Sequence, residues 1–145
     1  MSLHRLIYCS RPASPSRADL EAILGACRRH NPEAHLTGML LFTSDCYMQL
    51  LEGGRAAVNA CFQKISRDAR HAQVEIISYG PVDFRLFDRW NMHYVAHDGP
   101  SACDLARFTM NERFDPYAMT ASSAEQLCLH LSLHAHQAEM ATATS

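Results

Sequence analysis

No apolar stretch in this chain approaches the ~20 residues that a membrane-spanning helix needs, so no membrane is expected among its partners. Basic runs are missing too. Thirteen Lys and Arg stand scattered against 15 Asp and Glu, for a formal net charge of −2. That removes the usual electrostatic basis for binding nucleic acid. None of the six cysteines is paired as C-x-x-C, which argues against a zinc ribbon or a dithiol redox centre. Cys9, Cys27, Cys46, Cys61, Cys103 and Cys128 are therefore expected as reduced thiols, mostly on apolar faces. His130 and His134 have the i, i+4 spacing of a metal pair but lack a third ligand nearby, so no metal site is expected. The first apolar run, residues 6–9, is too short for the h-region of a signal peptide, and no small-residue cleavage site follows it. The expected location is the cytoplasm. A glycine-rich phosphate loop is absent as well.

What is present is an ordinary globular composition. With 145 residues, 48% apolar and 19% charged, the chain is long enough to bury one core without staples. Residues 3–9 read as a first strand. After a loop with two prolines, Ser16 is a candidate N-cap with Asp19 three residues on. Leu20, Ile23, Leu24 and Cys27 follow at helical spacing. Asn31 precedes Pro32, so the helix should end near His30 or Asn31. Residues 36–43 and 46–51 read as a hairpin turning near Ser44-Asp45, with Glu52-Gly53-Gly54 breaking the second strand. Val58, Cys61, Phe62 and Ile65 mark a second helix, ending in the His-rich stretch 67–71. Residues 74–79 read as a fourth strand stopped by Gly80-Pro81, and residues 89–96 as a fifth.

The order is β-α-β-β-α-β-β, which predicts an α+β, ferredoxin-like sheet with two helices on one face. Strands apolar on both faces, such as residues 40–42, require a cover on the other face. The tail supplies it. A short helix is expected within residues 99–106, and a longer one from Ser122, with Glu125 completing a capping box. Ala124, Leu127, Cys128 and Leu131 make one apolar stripe of that helix, and Leu129 and Leu133 a second. Two stripes imply burial on two sides or contact with another chain. Residues 141–145 are expected to lack fixed structure.

Three polar residues sit awkwardly in this pattern. Gln49 lies in mid-strand with Tyr47 and Leu51 on its own face, and a buried amide needs partners. Tyr8 shares a face of the first strand with Leu6. Asn31 closes the first helix. Each has a plain reading alone: a packing tyrosine, a helix terminator, a glutamine turned to solvent. Trp90 and Met92 share one face of the expected fifth strand, and most such pairs are core. Composition and periodicity stop there, at an α+β domain with a few suspicious buried amides.

The residues in order say more. The chain reads Arg5-Leu-Ile-Tyr8-Cys-Ser10, then His30-Asn31, Leu36-Thr-Gly-Met-Leu-Leu-Phe42 and Tyr47-Met-Gln49-Leu-Leu-Glu-Gly53. Asp68-Ala-Arg-His71 and Phe87-Asp-Arg-Trp90-Asn-Met92 follow. This ordered set, over about residues 3–97, resembles the BLUF family of blue-light sensors using FAD, in its short single-domain form. The resemblance implies a flavin ring between the two helices, held by Tyr8, Ile23, His30, Asn31, Gln49, Arg67, Asp68, Arg70, His71 and Met92. FMN or riboflavin would substitute for FAD. Tyr8 would donate an electron and a proton in the light, and Gln49 would bridge Tyr8 to the ring. Trp90 and Met92 would sit near Gln49 and change place or environment. Asn91 and Tyr47 depart from the Ser and Phe that the family often has there.

Residues 1–97 are accordingly expected as the sensor domain and 98–145 as a helical extension. The expected function is photoreception, not enzymatic catalysis. A downstream protein partner and a homo-oligomer are expected to carry the signal. The alternative is a flavin-free ferredoxin-like regulatory or interaction module. An acylphosphatase-like hydrolase shares the layout but needs an anion-binding loop that the sequence does not offer.

Overall fold

The computed structural model describes residues 2–13, 17–43, 45–100, 102–109 and 114–144. Five strands and four helices occur in it: β1 (Leu3–Pro12), α1 (Arg17–His30), β2 (Thr37–Phe42), β3 (Tyr47–Gly54), α2 (Arg55–Arg67), β4 (His71–Pro81), β5 (His93–Ala96), α3 (Ala102–Arg107) and α4 (Ala121–Thr144). The strand order is β4-β1-β3-β2-β5. β3 pairs antiparallel with β1 and β2, while β5 runs parallel to β2 at the edge. The first four strands and two helices form the expected ferredoxin-like core.

The sheet separates two apolar layers because side chains alternate along each strand. On one face, Leu6, Tyr8, Leu40, Tyr47 and Leu51 meet Leu20, Ile23 and Leu24 of α1 and Val58 of α2. On the other, Ile7, Met39, Leu41, Met48 and Leu50 meet Ala124, Leu127, Cys128, Leu131 and Ala135 of α4. The expected cover is thus α4, and its first stripe is the one it buries. Leu129 and Leu133, the second stripe, remain exposed.

Several expected boundaries moved. β3 runs through Glu52 and Gly53 to Gly54, because Leu3, His4 and Arg5 of β1 continue to pair with them. β4 likewise includes Gly80 and Pro81, paired with Arg5 and His4. β5 begins at His93 rather than 89, since residues 82–92 bend instead of extending. Ser122 does not cap α4. Thr120 does, its Oγ1 accepting from the Ser123 backbone N–H at 3.1 Å, and Glu125 reaches across to Arg5 instead. The tail is helical to Thr144, not irregular. Ser16 and Ser44, expected as a cap and as part of a hairpin turn, lie outside the described residues.

Gly38 on β2 marks the closest backbone approach. A Cβ there would meet the Leu50 carbonyl oxygen at 2.0 Å and the Met92 methyl at 3.3 Å. Only glycine lets β2 lie this close to β3 with Met92 packed over it.

A buried charge cluster fastens the far face. Glu52, without exposed surface, accepts from Arg5 Nε at 2.8 Å and from the backbone N–H groups of Leu86 and Phe87 at 2.8 and 3.0 Å. Arg5 Nη1 donates to Glu125 of α4 at 2.9 Å. A carboxylate with three donors, one of them charged, satisfies the condition under which a buried charge is tolerated.

Candidate functional site

Tyr8 and Gln49 are direct cross-strand partners of β1 and β3. The β1–β4 pairing shifts register between Ile7 and Tyr8, an irregularity of the sort that re-aims a side chain. Both residues are fully buried, so the solvent-facing reading of Gln49 does not hold. The Tyr8 hydroxyl donates to Gln49 Oε1. The Gln49 amide nitrogen donates to Met92 Sδ at 3.3 Å and to Cys27 Sγ at 3.7 Å. Sulfur is a weak acceptor, so this buried NH2 group is bound on soft, replaceable partners. Burial, followed by the nearby Cys27 and Cys61 thiols, raises the Tyr8 phenol well above the ordinary tyrosine value. It is a neutral donor at any physiological pH.

Gln49 opens onto a cavity of about 500 Å³ between α1 and α2. α1 and its end contribute Ile23, Ala26, Cys27, His30 and Asn31; α2 contributes Ala57, Ala60, Cys61, Lys64 and Ile65; Asp68, Arg70 and His71 close one end. The volume lies in the ordinary range for a small-molecule pocket. Ala26 of α1 and Ala57 and Ala60 of α2 present short side chains to it, and Ile23 and Ile65 add apolar lining.

The polar groups stand at the margins. Asn31 is almost wholly buried. Its backbone N–H completes the last i→i−4 bond of α1, donating to Cys27 O at 2.8 Å, while its side-chain Nδ2 donates to Asn91 O at 2.9 Å. Asp68 accepts from Arg70 Nη2 at 2.6 Å, and that bond holds its carboxyl below the usual range. His71 Nδ1 lies 2.8 Å from Ser10 Oγ, and burial lowers its pKa from 6.5.

Of the residues singled out in the sequence, Ile23, His30, Asn31, Gln49, Asp68, Arg70 and His71 line the cavity. Tyr8 and Met92 stand behind it, each in contact with Gln49. Arg67 does not line it. Lys64 does, at i+3 from Cys61 and i+4 from Ala60. Sequence reasoning missed Lys64 and Cys27, although both lie on helix stripes that periodicity reveals.

Trp90 is the main correction. Trp90 and Met92 do not share a strand face. The backbone turns at Phe87–Trp90, where Trp90 N–H donates to Phe87 O at 3.3 Å, so two-residue alternation does not apply. Met92 points toward Gln49, whereas Trp90 packs on the α4 side against His93 and His136, with ring centroids 4.9 Å apart in each case.

The donor set suits a planar ring with a hydrogen-bonding edge, such as a flavin. Two amides, each offering donor and acceptor ends, meet a cavity with apolar lining, and the NH2 group of Gln49 donates only to sulfur. Among the described residues no group of His, Cys, Asp and Glu is placed to hold a metal ion. No helix described is long and apolar enough to cross a membrane.

Comparison with known proteins agrees with this geometry. Residues 3–93 match the family described as sensors of blue-light using FAD, BLUF. The photoactivated adenylate cyclase subunit alpha of Euglena gracilis is 37% identical over 83 residues, which are 57% of this chain and 8% of that protein. The corresponding subunit beta of Euglena longa is 34% identical over 87 residues, 59% of this chain and 10% of the relative. The chain thus spans about a tenth of the length of these relatives. Among solved structures, BlsA in its photo-activated state superposes with a TM-score of 0.81 at 26% identity, covering 90% of this chain and 94% of that one. BlrB, a BLUF protein in its dark state, gives 0.69 at 32% identity, covering 77% and 86%.

Proposed function

Because this chain belongs to the BLUF family of blue-light sensors using FAD, we propose that it works by a light-driven rearrangement of Gln49 initiated at Tyr8. The observation that carries this is the buried relay of Tyr8 hydroxyl, Gln49 carboxamide and Met92 thioether opening onto the cavity. Bound in the slot, the flavin supplies blue-light absorption and a strongly oxidising excited state. Tyr8 is an oxidisable side chain linked to the cavity through Gln49, to whose oxygen its hydroxyl donates. With the excited flavin as electron acceptor, Tyr8 would become strongly acidic on losing an electron, and its proton would pass along that hydrogen bond to the Gln49 oxygen. Electron and proton would both return to Tyr8 when the flavin is reoxidised. Gln49 then rotates or tautomerises and exchanges donor and acceptor ends without breaking a carbon skeleton bond. A misplaced amide in a dry site costs about 1–3 kcal/mol, enough to shift a neighbouring segment between two packings.

Asn31 holds the polar edge of the ring in this reading. Ile23, His30, Asp68, Arg70 and His71 line its sides, and Lys64 takes the place expected for Arg67. Met92 and Trp90 lie on the segment that would respond, one on each side of the sheet. The output is a contact with a protein partner, made through α4 and the adjoining segment, and a homo-oligomer is part of the same proposal. Residues 1–97 would form the sensor and 98–145 the part that reads it out. The cyclase activity named for the Euglena proteins belongs to those much longer chains.

The test is the absorption spectrum of the purified protein before and after blue light. A flavin spectrum that shifts to the red and recovers in the dark supports the reading. A colourless protein that cannot be reconstituted with FAD returns the chain to a flavin-free interaction module.

A further inference from the structure

Residues 83–92 carry no regular structure, yet this segment is fastened at both ends by devices of unequal strength. At its start, buried Glu52 holds the Leu86 and Phe87 backbone N–H groups. Arg85 donates to Thr37 Oγ1 at 2.8 Å and to the carbonyls of Glu52 and His35 at 3.0 and 2.9 Å. Breaking that end strands a buried charge, so it stays in place in any change the fold survives. At the other end, two backbone carbonyls accept from the last turn of α1 and the residue after it. Asn91 O accepts from Asn31 Nδ2 at 2.9 Å, and Met92 O accepts from Arg28 Nη2 at 3.3 Å. Arg28 is exposed, so water competes for its hydrogen bonds and this fastening is the easiest to release.

Besides its packing in the core and the Gly38 N–H bond to Trp90 O at 3.1 Å, Met92 is itself held by two hydrogen bonds, its carbonyl by Arg28 and its thioether by the Gln49 amide. We propose that Arg28 is a positioning residue for the light response. It keeps the Met92 backbone where the thioether meets Gln49, and thereby sets how readily that contact is exchanged and how fast it is restored. The proposal rests on the reading of Gln49 as the rearranging group. Without Arg28 the arrangement with the Met92 thioether on Gln49 loses one fastening, and its return after light slows.

The experiment compares flavin-loaded wild type with Arg28→Ala and Arg28→Lys by light-minus-dark absorption and dark recovery. Arg28→Ala should recover about two- to fivefold more slowly, the effect of one exposed charge-assisted hydrogen bond. Arg28→Lys, which keeps the charge and a donor, should return most of the rate. A second readout needs no flavin. In the flavin-free chain labelled at methionine methyls, the Met92 resonance, assigned with Met92→Leu, should move in Arg28→Ala and move back in Arg28→Lys. Where Arg28→Ala lowers flavin occupancy, Arg28→Gln serves in its place. An Arg28→Ala protein that recovers at the wild-type rate overturns the proposal, whether or not the methyl moves. A wild-type protein with no light-induced shift removes the reading of Gln49 and this proposal with it.

Discussion

At Gln49 the chain faces a choice that ordinary packing does not explain. A fully buried carboxamide on a central strand is tolerated only because Tyr8, Met92 and Cys27 satisfy it, and two of those partners are poor acceptors. Replacing it with leucine should leave the fold intact, since the shape is similar and no partner but Tyr8 loses a strong bond. Gln49→Leu is expected to bind flavin yet show no red shift under blue light, as read by difference spectroscopy. Tyr8→Phe should also abolish the shift, and it should lower the unfolding free energy by about 1–3 kcal/mol by leaving Gln49 Oε1 unpaired. A third expectation concerns pH. Burial is the leading cause that lowers both His71 and His93 from 6.5. The unfolded chain then binds protons that the folded chain refuses, so stability is fully present above pH 6.5 and is lost as pH falls toward the depressed folded values. Denaturant titrations at pH 7.5 and 5.5 should show the loss, and His71→Asn should reduce it. At this scale the sequence made Tyr8, Asn31 and Gln49 visible as polar residues in apolar company. It could not show that Trp90 and Met92 lie on opposite sides of the sheet, because that depends on a turn at Phe87–Trp90 which carries neither glycine nor proline.

Elements were legible where periodicity was long and illegible where pairing decided. Both core helices and four strands follow from alternation and helical stripes. β3 and β4 run past their glycines because β1 offers partners for the extra residues, and a neighbouring strand leaves no local signal. α4 shows the same limit in reverse. Its buried stripe was readable, but its cap is Thr120, since Ser122 and Glu125 are drawn into helix and ion pair. The helix is held by burial: Leu131→Ala should cost about 2–5 kcal/mol in a thermal or denaturant melt, whereas Leu129→Ala on the exposed face should change stability by at most about 0.5 kcal/mol. Equal losses at the two positions would mean that α4 does not pack as described. A chain cut after His97 exposes the Ile7, Met39, Leu41, Met48 and Leu50 face and is expected to aggregate in light-scattering assays. Gly38→Ala, with a Cβ 2.0 Å from the Leu50 carbonyl, is expected to disrupt the β2–β3 pairing and the seat of Met92.

Across the described residues, one sheet separates two apolar layers. The cavity and the Tyr8–Gln49 relay occupy one face, and α4 occupies the other. The segment 82–92 touches both, with Met92 on the cavity side and Trp90 against α4. On the proposed reading, a change in Gln49 that loosens Met92 would reach α4 through Trp90 without crossing the strands. Trp90 is the chain's single tryptophan, so its emission reports on that far side alone. The most direct test of the account is the absorption spectrum of the flavin-loaded protein in the dark and after blue light, with the Gln49→Leu variant alongside. The account predicts a reversible red shift in the wild type and none in the variant. A wild-type spectrum unchanged by light, or an equal shift in both proteins, would contradict it.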